Sequence, residues 1–409
     1  MTTPDAVDLA LRPEEAGPTR GLVVLLAAAA ALGTSTVYLL HPAVADVAHT
    51  LRTDLATVGL ALAGGPVGYL LGLVLLVPLV DRHPPNRLLA AAFASLAATL
   101  VLTAGAALVG AVGGVVVICV ALGLTGGFSA VGAALSSLAG RLTPAHRRAT
   151  VLGVVTAGIA AGILAGRVVG GWLTELLGWR EMLLWVALAC AVAAVGCLRM
   201  LPSSAAGTGR DLLAGLRSLP AVLLRYGELR LAAVRGALWF FAFCALWAGL
   251  AVALSQPPYS LSAERIGLYA LAGLSGIAAT PLAGIWTDRV GPRRVILVGL
   301  ALAGLAAAGS AFALGSPVVV LACLAAVDAG LFAAQVANQS TVLAIDPAAP
   351  ARFNSAYMAV YFVGGSAGTA CGALVADRSG WPLVVALVSA AIGLAAALTL
   401  RGRAAAGRG

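Results

Sequence analysis

Apolar stretches long enough to cross a bilayer recur from end to end of the chain, separated by short breaks that hold most of its polar residues. A spanning helix needs about 20 mostly apolar residues. Runs that satisfy this lie near 21–45, 56–80, 87–110, 112–139, 149–174 and 180–201. After a longer polar break they resume near 231–255, 264–287, 293–315, 317–343, 354–376 and 381–400. The pattern predicts an all-α membrane protein with twelve transmembrane helices.

Composition agrees. Hydrophobic residues make up 61% of the 409 and charged residues 10%, with mean hydropathy +1.01, whereas soluble chains are about a quarter charged. The net charge of +9 does not point to nucleic acid. Every basic residue other than histidine is arginine, and the arginines sit between the apolar spans. The six cysteines (Cys119, Cys190, Cys197, Cys244, Cys323 and Cys371) fall inside apolar segments without metal-ligand spacing. They read as small buried hydrophobes. Residues 1–20 carry Asp5, Asp8, Glu14 and Glu15, the wrong charge for a signal-peptide start, so the first span is expected to be a retained helix.

The arginines also set an orientation. With both termini cytoplasmic, only Arg52, Arg180, Arg265 and Arg378 fall in outer loops, and all other loop arginines lie inside. The two halves echo each other. DRHPPNRLL begins at Asp81 and DRVGPRRVI at Asp288, each between the second and third span of its half. Arg147 precedes span 5 as Arg352 precedes span 11, and Gly178-Trp179 matches Gly380-Trp381. A parallel repeat implies two pseudo-symmetric six-helix bundles with a site between them. The expected organisation is a cytoplasmic tail (1–20), a first bundle (21–201), a cytoplasmic linker (202–227), a second bundle (228–401) and a short tail (402–409). Leucines in the linker predict a helix on the inner membrane surface.

Over almost its whole length the chain resembles the major facilitator superfamily. Gly284, Asp288, Arg289, Gly291, Arg293 and Arg294 match that superfamily's loop signature G-x-x-x-D-R-x-G-x-R-R. The first-half copy keeps Asp81 and Arg82 but has Val77 at the glycine position. A carboxylate at a helix end can accept from a neighbouring helix N-terminus and pair with arginines. These residues, with Arg147 and Arg352, are therefore candidates for a conformational latch. Gly153, Gly162, Gly166, Gly170 and Gly171 have the spacing of the fifth-helix signature of superfamily antiporters, with Arg167 where that signature has proline. Small residues in such a row allow close helix approach, expected here at a sliding interface of the halves. DAGLFAAQVANQ (328–339), RFNSAYMAVYFVGGSAG (352–368) and Tyr38–Pro42 are similar to the acriflavine-sensitivity subgroup of bacterial exporters. The superfamily's fourth-helix arginine is absent, since residues 123–132 carry no charge.

Asp328 lies roughly 16 Å into span 10 at 1.5 Å per residue, and Asp328, Phe332, Gln335 and Gln339 fall on one helical face. A polar face on a spanning helix looks towards a cavity or partner helices, and burial disfavours the charged form of a carboxyl. Asp328 is therefore the candidate for proton or substrate coupling, against the alternative of a structural aspartate. Arg167 shares its depth with Tyr38 and His41 near the outer end of span 1. It is expected to hydrogen-bond one of them or a backbone carbonyl, with Asp46 at the mouth, or else to snorkel to the interface. Trp239, Phe243 and Trp247 share a face of span 7, and with Tyr357 and Tyr361 they offer aromatic walls. No catalytic constellation is legible and no cofactor is implied.

The expectation is a monomeric secondary transporter of the bacterial inner membrane, with a small-molecule substrate, protons and the lipid bilayer as partners and no nucleic acid. The favoured activity is proton-coupled efflux of a hydrophobic drug or natural product. Proton-coupled uptake of a metabolite, or a non-transporting receptor or assembly factor, stays open.

Overall fold

The computed structural model describes residues 18–80, 82–203, 212–346 and 350–406. The first half folds into α1 (Arg20–Ser35), α2 (Val44–Leu51), α3 (Leu55–Leu62), α4 (Gly64–Leu79), α5 (Pro85–Gly105), α6 (Ala111–Ser129), α7 (Val131–Leu142), α8 (Ala145–Leu177) and α9 (Trp179–Met200). Helix α10 (Leu212–Arg225) follows in the connector. The second half holds α11 (Gly227–Ser255), α12 (Ala263–Leu268), α13 (Gly273–Val290), α14 (Pro292–Ser310), α15 (Pro317–Leu343), α16 (Pro350–Ser379) and α17 (Trp381–Ala406).

Among the described residues, 11 helical segments are long and apolar enough to cross a membrane. The first predicted span is the exception. Its helix stops at Ser35, 16 residues long, and the chain continues through turns to Ala43. The reason is local. Pro42 has no N–H to give a helix and disfavours helical backbone at His41. Meanwhile the Ser35 and Thr36 hydroxyls donate back to the carbonyls of Leu32 and Gly33. Non-helical backbone at membrane depth is tolerated only where protein or a cavity surrounds it, and Leu39, Leu40, Pro42 and Ala43 are buried.

The internal repeat extends to packing. In the first half α1 lies on α8, α4 on α6 and α5 on α9. The second half repeats each pairing, with α11 on α16, α13 on α15 and α14 on α17. A glycine seam holds the first pair of each set. A side chain at Gly158, Gly162, Gly166 or Gly170 of α8 would collide with the backbone of Ala27, Ala31, Ser35 or Leu39. Gly364, Gly368 and Gly372 of α16 meet Ala237, Phe241 and Ala245 of α11 in the same way.

This corrects the expected sliding interface: the α8 seam packs within its own half. Gly171 alone of the predicted glycines faces the other half, against Ala263, and Gly153 is exposed with open space at its Cβ position.

The face of the bundle that carries the start of α1 and the end of α17 is termed here the terminal face. The halves meet at the opposite face, where α8 packs on α12 and α3 on α16. Gly59 lies against Ala373, and Gly267 against the Arg167 carbonyl. The Ser366 hydroxyl donates to the Ala63 carbonyl at 2.8 Å. Asp377, at the end of α16, spans the two halves. One oxygen accepts from the Ala56 backbone N–H at 3.3 Å and the other from Gln256 Nε2 at 2.9 Å.

Candidate functional site

A cavity of about 180 Å³ lies between the halves. The broken end of span 1 contributes Thr34, Val37, Tyr38 and His41, and α8 contributes Ile159, Ile163 and Arg167. From the second half come Phe240, Phe243, Cys244 and Trp247 of α11, Phe332 of α15, and Tyr361 and Phe362 of α16. Because α1 and α11 are each drawn close to a glycine seam, their side chains converge on the same space.

Arg167 is only 7% exposed. The expected hydrogen bonds to Tyr38 or His41 do not form. Its guanidinium carbon sits 4.6 Å from the Trp247 ring centroid, 4.9 Å from that of Tyr38 and 5.8 Å from that of Phe243. Such stacking places a cation on the negative ring faces. Two of the three rings lie on α11, in the other half, which sequence reasoning had not linked to Arg167. Asp46 does not reach the site and lines a separate pocket with His49, Thr174 and Trp179.

Asp328 is 1% exposed. Its Oδ1 accepts from Trp247 Nε1 at 3.3 Å, and its other oxygen lies beside Gly273. Trp247 is therefore shared between the two buried charges, offering its N–H to the acid and its face to the guanidinium. Phe332, one turn from Asp328, lines the cavity and packs edge-on against Phe243, with ring centroids 5.9 Å apart.

The remaining residues of that α15 face lie outside the cavity lining. Gln335 accepts from Trp239 Nε1 at 3.1 Å and from the Tyr357 hydroxyl. Gln339 donates to Asn354 at 2.9 Å. Trp239, expected as a wall, sits behind Tyr361, with centroids 5.1 Å apart. The wall residue is its neighbour Phe240, stacked on Tyr361 at 4.0 Å and 11°. Two unflagged polar residues complete the picture. Thr34 lines the cavity, and buried Asn338 donates to the Ala232 carbonyl at 2.9 Å.

Among the described residues of the predicted latch, Arg82 aside, no hydrogen bond joins the two halves. Asp81 lies outside the described residues. Asp288, Arg289, Arg294, Arg147 and Arg352 are exposed at the terminal face, and the Cβ positions of Gly284 and Gly291 face open space. Gly291 takes a left-handed φ of 86° to turn the chain from α13 into α14. Arg293 donates to the Leu400 carbonyl of its own half at 3.0 Å. In the first half Arg82 occupies the turn after α4. Arg141 contacts the end of α4, donating to the Val80 carbonyl at 3.0 Å.

The family model described as Major Facilitator Superfamily matches residues 23–267 and 247–408. The chain belongs to that superfamily. It is 32% identical over 385 residues to a probable transporter of Streptomyces coelicolor, SCO4007, covering 92% of this chain and 87% of that one. It is also 32% identical over 212 residues to a chloramphenicol resistance protein of Streptomyces lividans, covering 50% of this chain and 52% of the relative. Among solved structures, the nucleoside transporter NupG superposes with a TM-score of 0.74 at 14% identity, covering 93% of this chain and 99% of NupG. That likeness shows the shared fold.

Proposed function

We propose that this superfamily member is a secondary transporter of the bacterial inner membrane that exports a hydrophobic small molecule in exchange for protons, by alternating access. The observation that carries the reading is the pair of ionisable side chains, Arg167 and Asp328, buried beside an aromatic-walled cavity between two pseudo-equivalent halves. Charges at this depth are costly by about 2.5–3.5 kcal/mol on insertion scales, and a cavity that opens in turn to each side gives them a use.

Asp328 is read as the proton site and the aromatic walls as the substrate site. Trp247 connects the two, so protonation of one can be felt at the other. The conformer, sealed at the face opposite the termini, is read as inward-facing. The resistance activity named for the Streptomyces lividans relative, and the resemblance to the acriflavine-sensitivity subgroup, support export over uptake.

The test uses everted membrane vesicles, energised so that the lumen is acid. Addition of substrate from a panel of aromatic antibiotics, chloramphenicol first, is expected to dissipate the pH gradient in vesicles carrying the protein. Asp328→Asn is expected to abolish the effect. Gradient-driven entry of the same compounds into intact cells would instead establish uptake.

A further inference from the structure

Buried polar side-chain atoms almost always have partners, so each one without a partner asks for a reason. Three such atoms belong to residues lining the same cavity: Thr34 Oγ1, His41 Nε2 and Arg167 Nε. Arg167 has no carboxylate within ion-pair distance among the described residues, and three rings lie within 6 Å of its guanidinium carbon. A guanidinium carries five N–H donors and no acceptor. Arg167 lines the cavity with its guanidinium set among π-faces, and the unpartnered atoms of Thr34 and His41 lie in the same wall.

We propose that the cavity selects a small aromatic solute bearing an oxygen acceptor (a carbonyl, nitro or carboxylate group) and excludes organic cations. The solute's ring lies among Phe240, Phe243, Phe332 and Tyr361, and its oxygen accepts from Arg167, with Thr34 and His41 beside it. This assignment deepens the transport reading and rests on it.

Three physical arguments support the selection. Flat rings gain offset or edge contacts from the aromatic walls. An oxygen on Arg167 makes a charge-assisted hydrogen bond in a desolvated site, where such bonds are strongest. A cationic ring would meet the buried guanidinium with no carboxylate on the cavity wall to offset it, because Asp328 stands behind Trp247. The volume, about 180 Å³, is below the roughly 300–1,000 Å³ of drug-sized sites, so a compact two-ring solute is the appropriate probe in this conformer.

Equilibrium dialysis of the purified full-length protein in detergent tests the assignment with four matched probes: naphthalene, 2-acetylnaphthalene, 2-naphthoate and 2-naphthylmethylammonium. At least one of the two acceptor-bearing probes is expected to bind about tenfold or more tightly than naphthalene, the size of one charge-assisted hydrogen bond, and the ammonium more weakly than either. Which of the two binds tighter separates neutral from anionic substrates. Arg167→Met is expected to erase the preference, and Arg167→Lys to keep part of it. Naphthalene or the ammonium binding as tightly as both acceptor probes would overturn the assignment, and so would an unchanged order in folded Arg167→Met. Should that variant not be recovered folded, the wild-type order decides alone. Binding in detergent needs neither a gradient nor a direction of transport. A correct order with failed vesicle transport would therefore remove the export reading only, and the converse would remove this assignment only.

Discussion

At the scale of single residues, the site turns on Trp247. Its indole N–H is donated to Asp328 while its face carries Arg167, so one rigid ring touches both the acid and the cation. Trp247→Phe keeps a ring for the guanidinium and removes the donor to the acid. Substrate binding by dialysis is expected to change by less than about threefold, whereas gradient dissipation in vesicles falls by about tenfold or more, the loss of one hydrogen bond to a charged group. An equal fall in both would show that the indole N–H is not the link. Asp328 and Arg167 were legible in the sequence because a charge inside an apolar run is conspicuous. Trp247 stood out only as one aromatic among several, since its two partners come from helices far away along the chain. Thr34 gave no signal, and Phe240 was one aromatic of span 7 off the face of Trp239, Phe243 and Trp247. Small hydroxyls and phenylalanines are ordinary in spanning helices, and only the packing of α1 and α11 across the two halves makes them cavity residues.

At the scale of elements, glycine seams decide how near the helices come. Gly162 of α8 leaves no room for a side chain against Ala31, while Gly153 faces open space. Gly162→Leu is expected to overpack the seam by about 1–3 kcal/mol or more and to lower the melting temperature of the purified protein. Gly153→Ala should leave it within error of wild type. Similar melting of the two variants would refute the seam. Spacing in the sequence located the glycines but not their partner, because a row of small residues says which face packs closely and not which helix it meets. A second element-scale device lies at the face opposite the termini. Asp377 caps the first turn of α3 from the other half, where a carboxylate and a helix N-terminus attract. Asp377→Ala is expected to loosen that closure. In a cysteine-depleted background, maleimide labelling of Ala56→Cys should speed up several-fold when the aspartate is removed, and an unchanged rate would contradict its role in the closure. Asp377 escaped notice in the sequence because it follows the pattern of any acidic residue at a loop.

At the scale of the whole molecule, most of the architecture is legible in hydropathy and the internal repeat. Apolar length is set by bilayer thickness, and duplicated motifs report a duplicated bundle. The first apolar run is the exception, a helix to Ser35 followed by turns to Ala43. A proline two residues past a buried turn looks, by hydropathy, like the rest of the run. That same irregular stretch delivers Tyr38 and His41 to the cavity, so the departure from regular helix coincides with the candidate site. The central claim is that Asp328 couples protons to movement of solute through a cavity that both halves share. Reconstituted proteoliposomes test it most directly, by comparing wild type and Asp328→Asn for two activities on the panel compound that dissipates the vesicle gradient most strongly. Wild type is predicted to perform both solute–solute exchange and accumulation driven by a pH gradient. The Asp328→Asn variant should retain exchange and lose gradient-driven accumulation. Gradient-driven accumulation by Asp328→Asn at the wild-type level would contradict the account.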